Sequence, residues 1–271
     1  MRRSQSGQAL VESALVFPLA IFFVLGTLQL TLVQQTRLML EYAAFNAARA
    51  GAVWNGDRQK MEDAAIVTLL PTMPGVASAP APLRVDEPEL LLARWEALQH
   101  ANWVGGALNA KKIQVETLNP TLEDFQGQTR ELDFDMVDPG QDGTSTLEDR
   151  RLSQLTIRLT YFYDLRLPII NKFFFETWLV GLSGMSLRGF DPFRPNTAQP
   201  AEGGSLEQRL LAEAGSARTN CSYSGIQRTT LLSLIAIGQA TGRYYMPLVT
   251  TYTIRMQSSF FKRFATAKPS C

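Results

Sequence analysis

From Ser13 to Val33 the chain carries no charged residue. A run of about twenty residues is what a helix needs to cross roughly 30 Å of hydrocarbon, so this stretch constrains the fold more than any other. About a dozen of its side chains are Leu, Ile, Phe or Val, and each favours insertion by about 0.3 to 0.6 kcal/mol near the bilayer centre. Their sum outweighs Gln29 and the threonines. Arg2 and Arg3 precede the run, and the positive-inside rule keeps that short end in the cytoplasm and sends the residues after Val33 across. Pro18 lies inside the run. It removes one helical hydrogen bond, which predicts a kink and not a break, because lipid penalises unpaired backbone. A cleaved signal peptide fits less well, since its apolar core is shorter and the only tidy small-residue site, Ala48-Arg49-Ala50, lies too far downstream.

The helical pattern continues past the span, with Leu38, Tyr42, Phe45, Ala48 and Val53 recurring near the helical period. Asn55-Gly56 supplies a stop, because both residues tolerate the left-handed conformation that ends helices. One helix from Ser13 to Trp54 would extend roughly 60 Å, half in lipid and half as the spine of an outer domain.

At the entrance to the span, "SGQALVESALVFPLAIFFVLG" (Ser6 to Gly26) places a single acid, Glu12, at the edge of hydrocarbon. Such a carboxylate costs a few kcal/mol unless something neutralises it, which makes it a functional candidate. "GQALVESALVFPL", with "EYAAFNAARAGA" after the span, resembles the TadE-like pilus-assembly proteins of tight-adherence (Tad) secretion systems, relatives of the type IV pilins. The resemblance covers about the first fifty residues. It implies cleavage by a prepilin peptidase after Gly7, a new amino terminus at Gln8, and a role for Glu12 in processing or assembly. Spacing supports the transfer: Gln8 and Glu12 are four apart, so on a helix the new ammonium and the carboxylate share a face. In a bundle of such helices Glu12 could instead reach the amine of a neighbouring subunit. Ser13 stands where many of these proteins have an aromatic, and the outer domain is large, both of which suit a minor pilin or pseudopilin better than a major pilin.

Beyond Gly56 the chain reads as α+β. Arg58 to Leu70 and Glu87 to Ala101 have helical periodicity, and the proline-rich "PTMPGVASAPAP" connects them. "IQVETL", "RELDFDM", "LTIRLTYFYDL" and "LVTTYTIRMQ" alternate as strands do: Leu155, Ile157, Leu159, Tyr161 and Tyr163 point one way, as do Leu248, Thr250, Tyr252, Ile254 and Met256. The expectation is an antiparallel sheet with one face packed on the spine helix, a pilin-like layout. The organisation is then a basic leader (1–7), a transmembrane and spine helix (8–54) and an extracytoplasmic domain (55–271).

The apolar segment Pro168 to Met185 is broken by Lys172 and Glu176, too much so to cross a membrane alone. It reads chiefly as core, with an aromatic face (Phe173, Phe174, Trp178) that could alternatively meet a partner or the membrane surface. Leu231 to Ile237 reads as a buried helix. The loops Asp138 to Thr146 and Asp191 to Ser205 are rich in turn residues. The first contains Asp142-Gly143-Thr144-Ser145-Thr146, a superficial likeness to a metal-dependent adhesion motif that lacks the preceding hydrophobic strand. Cys221 and Cys271 are the only cysteines. In an oxidising compartment they either pair, adding on the order of 4 kcal/mol, or remain two thiols.

Lys and Arg number 26 against 25 Asp and Glu, a balance that argues against nucleic acid as a partner. The single histidine, His100, leaves little for a zinc site or a Ser-His-Asp triad. The expected protein is therefore no enzyme and uses no cofactor or metal. Its implied partners are a prepilin peptidase, other pilin-like subunits, an inner-membrane assembly platform and the lipid bilayer. A signal-anchored periplasmic binding or scaffold protein, unprocessed at Gly7, is the alternative.

Overall fold

The computed structural model describes residues 6–73, 103–104, 110–125, 131–132, 151–183, 234–238 and 241–266. The anticipated leader arginines, the 87–101 helix, His100, the two turn-rich loops with Asp142, most of the 130–136 strand, and Cys221 and Cys271 lie outside the described residues.

One helix, α1 (Ser6–Val53), runs for 48 residues, about 70 Å, and passes through Pro18 without interruption. It begins two residues before the expected Gln8 and ends one before the expected Trp54. Its termination follows the anticipated chemistry. Asn55 and Gly56 both have positive φ, +57° and +78°, and the Gly56 amide donates back to the Gly51 carbonyl at 2.8 Å. The companion bond of this left-handed cap is rerouted through a side chain far along the sequence. Asn55 N–H donates to Ser258 Oγ at 3.0 Å, and that hydroxyl donates to the Ala52 carbonyl at 2.9 Å. Ser258→Ala is expected to cost about 1–2 kcal/mol, because it strands a half-buried amide, and a denaturant titration of the detergent-solubilised chain would measure the loss.

Asp57 then caps α2 (Arg58–Leu69) by accepting from the Gln59 amide at 2.9 Å. Met61, Ala65, Ile66 and Leu69 of α2 are buried, which is the face its periodicity specifies. Ala43, Ala44, Ala47, Ala48 and Ala52 of α1 are fully buried in the same core, so the two helices approach over small side chains. Gly51 has no room for even one more carbon: a Cβ there would stand 2.5 Å from Met61 Sδ and 2.7 Å from Leu155 Cδ2.

The remaining elements are mostly strands. β1 (Trp103–Val104) pairs with β2 (Ala110–Lys111), and β4 (Glu131–Leu132) with β7 (Phe260–Phe261). The main sheet is antiparallel in the order β3 (Ile113–Asn119), β5 (Gln154–Asp164), β6 (Tyr245–Arg255). Leu155, Ile157, Leu159, Tyr161 and Tyr163 all face the core shared with α1, as alternation requires. In register, Tyr161 sits opposite Ile113 and Leu248, and Leu155 opposite Ile254. The fold is thus α+β, a long apolar helix followed by an antiparallel sheet packed on helices.

Two details differ from the alternating pattern. The second half of β5 is buried on both faces, because Phe162 packs with Leu234 and Tyr245 beneath the helical stretch 234–238. Tyr252, on the outer strand β6, keeps 36% exposure and meets Phe45 edge-on, at 5.5 Å between centroids. Helix α3 (Ile170–Ser183) follows β5 and packs against both α1 and β6.

Candidate assembly site on the membrane helix

Gly7, Gln8 and Glu12 occupy the first two turns of α1. Their placement on a continuous helix puts positions 8 and 12 on one face, as the four-residue spacing anticipates. Glu12 is exposed there, immediately before the uncharged run.

Every residue from Leu10 to Ile21 is exposed, and from Phe22 onward the helix has two distinct sides. Leu15, Phe17, Leu19, Phe23 and Val24 are each more than half exposed. A water-soluble core helix would hide such residues, and contiguous apolar surface on this scale marks a membrane or protein contact. α1 alone among the described helices is long and apolar enough to cross a membrane. Its threonines do not oppose insertion. Thr27, Thr31 and Thr36 each donate to a carbonyl three or four residues earlier, at 2.8–2.9 Å, so their hydroxyls are satisfied within the helix.

The other side is covered. Phe22, Leu25 and Gly26 are half-buried, and Gln29, Val33, Thr36 and Leu40 are buried, a stripe that follows the helical repeat into the Ala-rich contact above it. Gln29 explains itself here. Its Oε1 accepts from the Leu167 amide at 3.2 Å, across 138 positions of sequence, and Tyr163 lies beside both Gln29 and Thr36. An isolated amide in an otherwise apolar run was the available signal, and sequence reasoning treated it only as a cost to insertion. Over the described part of the segment from Pro168, Ile170, Phe175 and Leu179 are buried, Phe174 and Trp178 pack against the core, and half-buried Phe173 meets Phe22.

Charged groups gather at this lower end of the sheet. Asp164 pairs with Arg243, and Lys112 sits close by. Burial, reinforced by the Arg243 guanidinium, pushes the Lys112 pKa below the usual lysine range, although Asp164 opposes this. One residue before Lys112, Lys111 pairs with Glu62 of α2, which is buried between Lys111 and Arg58, and this ties α2 to β2. Among the described residues no three His, Cys, Asp or Glu side chains converge as a metal site would require.

The TadE-like protein family matches residues 7–49, which is nearly all of α1. No curated protein and no solved structure matches the chain, so the likeness ends with that helix and the outer domain is read from its own geometry. Gly7, Gln8, Glu12, Pro18 and the Ala-rich spine all fall within the matched stretch. The stretch similar to the TadE-like family, residues 7–49, is thus the helix that is long and apolar enough to cross a membrane.

Proposed function

We propose that this chain is a minor pilin or pseudopilin-like component of a tight-adherence pilus assembly or secretion system. The observation that carries the reading is the coincidence, on one helix, of the TadE-like match, the exposed apolar surface and an acid five residues after Gly7. In this reading a prepilin peptidase cuts after Gly7 on the cytoplasmic side. The α-amine of Gln8 then neutralises Glu12, either in the same chain or in the neighbouring subunit, so the charge enters hydrocarbon with a partner. The basic leader stays in the cytoplasm and the outer domain faces the periplasm. The apolar side of α1 packs on lipid before assembly and on related subunits and the inner-membrane platform during it. The role is structural, with no reaction of its own, and no nucleic acid is involved.

Mass spectrometry of the membrane-extracted protein tests this. In cells with their prepilin peptidase the mature chain is expected to begin at Gln8, and Gly7→Ala is expected to retain the leader in essentially every molecule. A chain that keeps Met1 or Arg2 in the presence of the peptidase would overturn processing and leave a signal-anchored binding or scaffold protein as the reading.

A further inference from the structure

The covered stripe on α1 reaches unexpectedly far down the membrane run. If hydrocarbon begins at Ser13, just after Glu12, a thickness of about 30 Å ends near Val33. Leu167 docks on Gln29, roughly 6 Å inside that boundary, and the ring of Phe173 meets the edge of Phe22 at 5.2 Å between centroids. Phe22 is eleven residues before Val33, about 16 Å below the boundary. Lifting Phe173 out of lipid would require hydrocarbon to end at Phe22, which leaves only about 15 Å of apolar helix from Ser13. That is half a bilayer.

The turn that leads into this contact is unusual in itself. Ile169 has φ +74° and is 77% exposed, while its neighbour Ile170 is fully buried. A β-branched residue in the left-handed region is a genuine outlier, and local preference does not place it there. Water offers no compensation for displaying it. Around it, Arg166 and Lys172 are exposed, and Lys172 is neutralised by Glu176 one turn along α3 at 3.6 Å. A long ammonium stem can lie along hydrocarbon while its head reaches the phosphates.

We infer that the Arg166–Ile170 turn and the N-terminal turns of α3 form a second membrane contact, seated in the outer leaflet alongside α1. The inference rests on α1 crossing the bilayer as proposed above. The outer domain then rides on the membrane with its lower end immersed, and Gln29 is the polar clamp that sets its height on α1.

The full chain, reconstituted in phosphatidylcholine/phosphatidylglycerol vesicles that contain a phosphatidylcholine with a diazirine in its acyl chain, provides the test. After irradiation, adducts are expected in peptides from 166–183 as well as from 13–33, and not in α2, residues 58–69. Ile169→Asp is expected to lower the yield at 166–183 several-fold and leave that at 13–33 unchanged. Adducts at 13–33 without any at 166–183 would overturn the second contact while the crossing stands. An absence of adducts at 13–33 would overturn the crossing itself, and this inference with it.

Discussion

Gly56→Ala is expected to destabilise the outer domain by about 2–5 kcal/mol, because two costs combine there. The first is conformational: φ is +78°, where an L side chain is disfavoured by about 1–2 kcal/mol. The second is steric, since a Cβ would lie 2.0 Å from Phe260 Cε2 and within 3 Å of two more atoms of that ring. Phe260 is 1% exposed and packs against Phe125, so it has nowhere to retreat. Gly242→Ala separates the two costs. Its φ is +68°, yet nothing lies within 4 Å of the Cβ, so only the conformational part is lost. For a domain of this size the Gly56 variant should melt roughly 5–15 °C lower by circular dichroism in detergent, and the Gly242 variant only a few degrees lower. Equal shifts for both would refute the close approach of Phe260.

The second large effect is alkaline. Burial pushes the Tyr161 hydroxyl up to about 12, although its hydrogen bond with Thr72 and the nearby Arg166 guanidinium pull the other way. Below pH 10 the phenol is neutral in both folded and unfolded chains and contributes nothing to the pH dependence. Above pH 10 the unfolded chain ionises first, so stability falls progressively until about pH 12, by roughly 2–3 kcal/mol in all. Tyr161→Phe should flatten that part of the profile. The measurement is unfolding free energy against pH for the two proteins, with phenolate absorbance followed in parallel. An unsubstituted chain that loses no more stability between pH 10 and 12 than the phenylalanine variant would refute the burial of that hydroxyl.

Much of the architecture was legible because local chemistry agreed with the tertiary outcome. Apolar residues of α2 recur at the helical spacing, and the face they define is the one buried. Asn55 and Gly56 stop the spine where left-handed conformations were anticipated. The β5 alternation was readable at Leu155, Ile157 and Leu159, but ceased to be informative at Phe162, where a helical stretch more than seventy residues later covers the second face. The same limit applied to Ser258, whose hydroxyl completes a helix cap some two hundred positions away. No local pattern encodes such a meeting.

The candidate site divides along the same line. Charge-free length, the position of Glu12 and the residues around Gly7 are properties of consecutive residues, so the sequence by itself determined that a single helix can cross a membrane and where a peptidase would be sought. Which side of that helix the rest of the chain covers, and how far along it the outer domain reaches, only the tertiary structure decided. Those features depend on Leu167 finding Gln29 and Phe173 finding Phe22, contacts between segments separated by well over a hundred residues. Hydropathy sums over neighbours along the chain, whereas burial is set by neighbours in space.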